Sequence, residues 1–213
     1  MMDADDDASG PALCYIRNDL PTPFSGSVTV AAIHLEGGQS TQLSSIKVSL
    51  PAGGGALGFF CADKSTTVSA GLPNCTTFDE LFKGVPGCNH GAQDCMLNVT
   101  VVADGGGVVS ENILPLALPS ALRLPDANVS YTVAEGEGAI EDKAASVKVS
   151  LTSATTAAYV WLTTLEQGRF SDNAFVLLPG VTKTVEFLSF EEAGTTAAAL
   201  KSSLRVEHLK QYL

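Results

Sequence analysis

Short β-branched or alternating runs, each closed by Gly, Pro, Asn or Asp, recur along the whole chain. A chain punctuated this often cannot sustain the 3.6-residue apolar period of packed helices. Residues 27–33, 46–50, 96–103, 129–133, 146–152, 158–165, 174–178, 184–190 and 204–209 all read as strands. The turn signals between them are equally regular: Glu36-Gly37-Gly38, residues 51–55, 104–107 and 135–138, and Pro179-Gly180. Only residues 77–83 and 193–201 read as single helical turns. The class expected is all-β, built as sandwiches.

The 213 residues are enough for two small domains. Pro115, Pro119 and Pro125 interrupt an apolar stretch between 115 and 126. Proline fixes φ and cannot donate to a sheet ladder, so this stretch reads as a semi-rigid connector. All five cysteines precede it. The expected division is an acidic flexible tail over 1–10, a first β-sandwich over 11–118 and a second over 119–213. Each sandwich has roughly the 100 residues typical of an Ig-like domain.

Charge narrows the partners. With 12 Lys and Arg against 23 Asp and Glu, the net charge is −11 and no basic cluster breaks it, which argues against nucleic-acid binding. Asp3, Asp5, Asp6 and Asp7 crowd the start, where like charges keep a short tail solvated. They also leave no room for a basic, apolar secretion signal within it. No apolar run approaches the roughly 20 residues of a membrane span, so no membrane partner is expected.

Three N-glycosylation sequons nevertheless suggest an endomembrane route: Asn74-Cys75-Thr76, Asn98-Val99-Thr100 and Asn128-Val129-Ser130. Cysteines 61, 75, 88 and 95 are clustered and could close two disulfides in three pairings, leaving Cys14 as the odd thiol. Export without a signal implies that the chain is part of something longer.

Chemistry-bearing constellations are sparse. The carboxylate pairs Glu135/Glu137, Glu141/Asp142 and Glu191/Glu192 all lie in turns or loops and read as solvated charge. Cys75, Cys88, His90 and Cys95 lack the tight spacings of a zinc site. His34 and His208 lie in or beside apolar strand ends and read as structural. No nucleophile elbow, phosphate loop or dinucleotide fingerprint occurs. No catalytic, cofactor or metal residue is therefore assigned.

The run from Ala158 to Gly180 is the most distinctive. A strand ending Trp161-Leu162-Thr163 leads to Gly168-Arg169-Phe170-Ser171-Asp172-Asn173, then a short apolar strand closed by Pro179-Gly180. This order resembles the C-terminal Ig-like domain of β-mannosidases of glycoside hydrolase family two. Lys183-Thr184-Val185-Glu186-Phe187 and Ser203-Leu204-Arg205-Val206 fit its last strands. The first half is similar, more weakly, to the preceding sandwich of those enzymes, through Asn18-Asp19, Gly26-Ser27-Val28-Thr29-Val30, Ser110-Glu111-Asn112-Ile113 and Leu122-Arg123-Leu124-Pro125. Residues 52–95 match nothing in that pattern and read as a Cys-containing insertion.

Such enzymes carry their two catalytic glutamates on a (β/α)₈ barrel, and nothing in this chain alternates strand with helix as a barrel must. The resemblance implies an accessory, non-catalytic region that braces the barrel of a lysosomal, vacuolar or secreted exo-β-mannosidase. The partners implied are the barrel, in cis, and an oligosaccharide. Alternatives are an independent carbohydrate-binding module and an Ig-like interaction module. In the strand carrying Trp161, period-two alternation puts Tyr159, Trp161 and Thr163 on one face and Val160, Leu162 and Thr164 on the other. The second face is the better core candidate, the alternative being a strand buried on both faces with Trp161 in the core. Tyr159 and Trp161 outward, beside Arg169, Asp172 and Asn173, would form the candidate docking patch, with Arg169 paired to Asp172 or a nearby carbonyl. Core burial is expected of Val160, Leu162, Val185, Phe187, Leu204 and Val206.

Overall fold

A computed structural model describes residues 12–62, 81–136, 146–190 and 194–213, with backbone only for 12–15 and 55–62. The acidic tail, Asn74, Cys75, Glu137, Glu141, Asp142, Glu191 and Glu192 lie outside the described residues, as does most of the helical turn expected over 77–83. The chain divides into two compact units: Met1–His34 with Gln39–Arg123, and Leu35–Gly38 with Leu124–Leu213. All described strands pair antiparallel, and the all-β expectation is met.

In the first unit β1 (Ala12–Asn18) pairs with β4 (Gly55–Ala62). β2 (Phe24–His34), β3 (Ser40–Leu50), β5 (Cys95–Ala103) and β6 (Val108–Pro115) form a four-stranded sheet in the order β3-β2-β5-β6. Val28, Val30 and Ala32 alternate inward along β2, facing the same core as Val48, Leu97 and Val101. The segment 52–95, read as a Cys-containing insertion, contributes to this unit where it is described. Its residues 55–62 complete the β1 ladder, and Leu81, Phe82 and Cys88 are core members. A glycine-rich start hid that strand, since glycine argues for a turn. Asn18 is buried: its Nδ2 donates to the carbonyls of Thr22 (2.8 Å) and Pro51 (3.1 Å), and its Oδ1 accepts from the Leu20 N–H. The Asn18-Asp19 motif thus ties two turns together.

In the second unit β7 (Val129–Glu135), β8 (Val147–Ser153), β10 (Gly168–Phe170) and β12 (Lys183–Ser189) form a sheet in the order β10-β12-β8-β7. β9 (Ala157–Thr163), β11 (Phe175–Leu177) and β13 (Arg205–Glu207) form a second, in the order β11-β9-β13. β8 alternates strictly, burying Val147, Val149 and Leu151. They pack with Val185 and Phe187 of β12 and with Val160, Leu162, Phe175 and Leu177. Five of the six residues expected in this core are there. Val206 is only half-buried at its edge, because the strand expected over 204–209 runs just Arg205–Glu207.

The turn expected over 193–201 is a short helix, α1 (Ala197–Ser203), closed over the core by Leu200. Thr196 caps it by accepting from the Ala199 N–H at 3.2 Å. The Glu135 carboxylate accepts from the Ala197 N–H at 2.8 Å. Both satisfy first-turn donors that have no intrahelical partner.

Candidate functional site

Alternation on β9 gives the faces read from the sequence: Val160 and Leu162 are buried, while Tyr159 and Trp161 are half-buried on the other side. That outer side is not open, however. The chain's own last turn folds over it: the Tyr212 ring lies 5.4 Å from the Trp161 ring, tilted by 31°. Glu207 ties the pair, one oxygen accepting from the Trp161 indole N–H (3.2 Å) and the other from the Tyr212 hydroxyl (2.6 Å). This hydrogen bond first, then burial and the carboxylate's charge, raises the Tyr212 phenol above its ordinary value. What remains exposed is Tyr212 itself, not Trp161. Tyr159 adopts a left-handed backbone (φ 51°), a conformation uncommon for a residue with a Cβ.

The expected patch does not assemble. Arg169 lies on β10, in the sheet opposite to β9, and is exposed on its outer side because neighbouring Phe170 packs inward on Phe187. Trp161 and Arg169 therefore mark two different sheets of the unit. The Arg169–Asp172 ion pair is also absent: Asp172 pairs with Lys183, and Arg169 has no partner among the described residues. Lys183 reaches Asp172 from β12 while stacking 4.6 Å above the Phe175 ring.

The bend between these sheets is built by side chains acting as backbone. The Leu162 N–H donates to Asn173 Oδ1 at 2.8 Å, and Asn173 Nδ2 donates back to the Leu162 carbonyl at 3.0 Å. Ser171 exchanges bonds with Glu186, its N–H donating to the carbonyl and its hydroxyl accepting from the Glu186 N–H. Ala174 follows at φ 60°. A Cβ at Gly168 would collide with the Phe187 ring and the Leu188 carbonyl, so the motif's glycine serves close packing. Asp172 and Asn173 thus hold a strand crossing.

The densest charged cluster among the described residues lies in the first unit, and the sequence analysis does not assign it. Cys88 and Cys95 are disulfide-bonded and both buried, so neither is available as a thiolate ligand. Within that loop Asp94 is buried. Its Oδ2 accepts from the His90 N–H (2.7 Å) and from His90 Nδ1 (2.9 Å), and its Oδ1 faces Arg123 Nε at 3.3 Å. Burial alone would raise the Asp94 carboxyl. The His90 hydrogen bonds, then the charge of Arg123, outweigh it and hold the group below its ordinary value. Arg123 also donates to His90 Nε2 at 3.2 Å. Arginine can only donate, so that nitrogen carries the lone pair and Nδ1 carries the proton. Both imidazole nitrogens are engaged, which leaves no free base for proton abstraction. The cluster is a clamp on the Cys-bounded loop. The spacing His90-x₃-Asp94 between two cysteines was the one signal that could have revealed it.

The remaining candidates are dispersed. Glu135 caps α1, as above, and is not paired with a second carboxylate among the described residues. His34 is half-buried beside Gln39, and His208 is buried at the start of the last turn. Cys14 and Cys61 lie on β1 and β4, where only the backbone is described. Asn98 is on β5 and Asn128 just before β7.

Residues 124–212 match the family model described as Ig_mannosidase, an Ig-fold domain. Across both units the fold is similar to part of a β-D-mannosidase from Dictyoglomus thermophilum, with a TM-score of 0.60 and 19% identity over 93% of this chain and 20% of that one. It is similar also to part of an exo-chitosanase from Amycolatopsis orientalis, with a TM-score of 0.54 and 18% identity over 92% of this chain and 24% of that one. No curated protein matches. The chain thus spans about a fifth to a quarter of these solved chains, and the resemblance read in residues 158–180 falls inside the matched Ig-fold domain.

Proposed function

We propose that this chain is the non-catalytic accessory region of an exo-acting β-glycosidase of the β-mannosidase type, its sandwiches bracing a catalytic barrel carried in cis. The observation that carries this reading is the likeness of 93% of the chain to only 20% of a β-D-mannosidase, with an Ig_mannosidase-type domain at its end. The parent reaction is removal of terminal β-linked mannose with retention, and the setting is lysosomal, vacuolar or secreted. An independent carbohydrate-binding module has less support, because Trp161 is covered by Tyr212.

The test has two arms. Assayed with an aryl β-mannoside, the purified chain is expected to match the uncatalysed background. Turnover that survives repurification and disappears in Glu135→Gln would overturn the accessory reading. Supplied to a β-mannosidase truncated of its terminal sandwiches, the chain is expected to bind and raise that enzyme's melting temperature. Absence of binding would equally sink the proposal.

A further inference from the structure

The sequence offers Asn98 and Asn128 as equivalent sequons, but the fold separates them. Asn98 sits in the middle of β5, a strand paired on both sides, opposite Ala31 of β2 and Ile113 of β6. Its Nδ2, the atom a glycan would occupy, donates to Glu111 at 2.9 Å, and its Oδ1 is wholly enclosed without a partner. A sugar there would replace a hydrogen of the nitrogen that bonds Glu111 and would have to fit between two neighbouring strands. Asn128 is exposed, precedes the first ladder pair of β7 (Val129 with Ser153), and has no hydrogen bond among the described residues. β7 is the edge strand of its sheet, so the flank beside Asn128 faces no further strand. The backbone leading to it is tied to the neighbouring turn, the Asp126 carbonyl accepting from the Thr155 hydroxyl at 2.8 Å. The third sequon residue, Ser130, is also exposed, bonded only to Thr152 across the sheet.

We infer that Asn128 is a glycan attachment site of this protein and that Asn98 is not. The donor class is a lipid-linked oligosaccharide diphosphate. Asn128 Nδ2 forms a bond to the sugar's anomeric carbon. The carbon–oxygen bond to the diphosphate breaks, the polyprenyl diphosphate leaves with the electron pair, and the amide's displaced proton passes to the transferase. A glycan here projects from a sheet edge, where bulk and hydration cost the fold nothing and block strand addition.

The experiment expresses the full chain behind a secretion leader in a eukaryotic host and maps glycopeptides by mass spectrometry. The leader makes the result independent of the proposed parent enzyme. Asn128 is expected to be occupied and Asn98 empty. Asn128→Gln and Ser130→Ala should each remove that glycan, and Asn98→Gln should remove none. The circular dichroism of Asn128→Gln should match the parent chain. An unoccupied Asn128, or a glycan on Asn98 in folded, secreted protein, would overturn the inference.

Discussion

In the second unit four strands face three across a core that is apolar throughout, from Val147, Val149 and Leu151 to Phe187 and Leu200, and no cysteine takes part. In the first unit the described strands are a four-stranded sheet and a two-stranded ladder, and the core includes the Cys88–Cys95 disulfide. Just beside it a buried carboxylate holds a histidine and an arginine. A complete pair of sheets stabilises by burying area, at about 25 cal/mol per Å². In the first unit a covalent link and an ion clamp hold a loop that contributes Cys88 and Cys95 to the core. The difference is one of mechanism, so the two units should answer differently to the same insult.

The sharpest way to break this contrast is Phe187→Ala. The ring is fully buried and meets Phe170 edge-on at 5.1 Å, so its loss should cost about 3–5 kcal/mol. Amide exchange should rise across the second unit's strands first. Equal acceleration in the first unit would show that the units do not differ in what holds them.

Replacing Cys88 and Cys95 together by Ala comes next, at about 2–3 kcal/mol for so short a loop. The effect should appear in the first unit's exchange, and reducing agent should reproduce it in the parent chain. No response to reduction would remove the disulfide from the account.

Acid should discriminate the units further. Asp94 titrates below its ordinary value when folded, so its stabilisation is complete above about pH 4. It is lost as the pH falls through the folded value. Asp94→Asn should destabilise the first unit at neutral pH by about 1–2 kcal/mol and flatten its acid dependence below pH 4. An unchanged acid profile would mean that the clamp does not contribute.

The smallest effect belongs to Trp161→Ala. Because Trp161 stacks on Tyr212 and donates to Glu207, some loss is expected, about 1–2 kcal/mol, where an open docking residue would give none. Faster proteolysis after residue 207 should accompany it. A melting temperature equal to that of the parent chain would return Trp161 to the role of a free interface residue.

Most strands that the sequence displayed have side chains to alternate: β2, β5, β8, β9 and β12 each carry at least two inward apolar side chains two residues apart. β4 was hidden because Gly55 and Gly58 mimic a turn. The faces of β9 followed from alternation. The destination of Arg169 did not, since local pattern cannot tell which sheet a strand joins after a bend. The Asp94 clamp depends on residues 33 positions apart in sequence, His90 and Arg123, which only the closed fold brings together.

The Asn173 side chain has a consequence for how this molecule avoids its own kind. Beyond Val160, the last residue of β9 facing Phe175 of β11, the strand would present the Leu162 N–H and carbonyl to solvent on that side. Such a free pair is a template on which a second chain can add a strand and begin an aggregate. Asn173 fills both positions with one amide, so the ladder ends sealed rather than open. Aspartate, the same size, would accept at one position and repel at the other. The choice of asparagine is thus a safeguard of solubility as much as a turn residue.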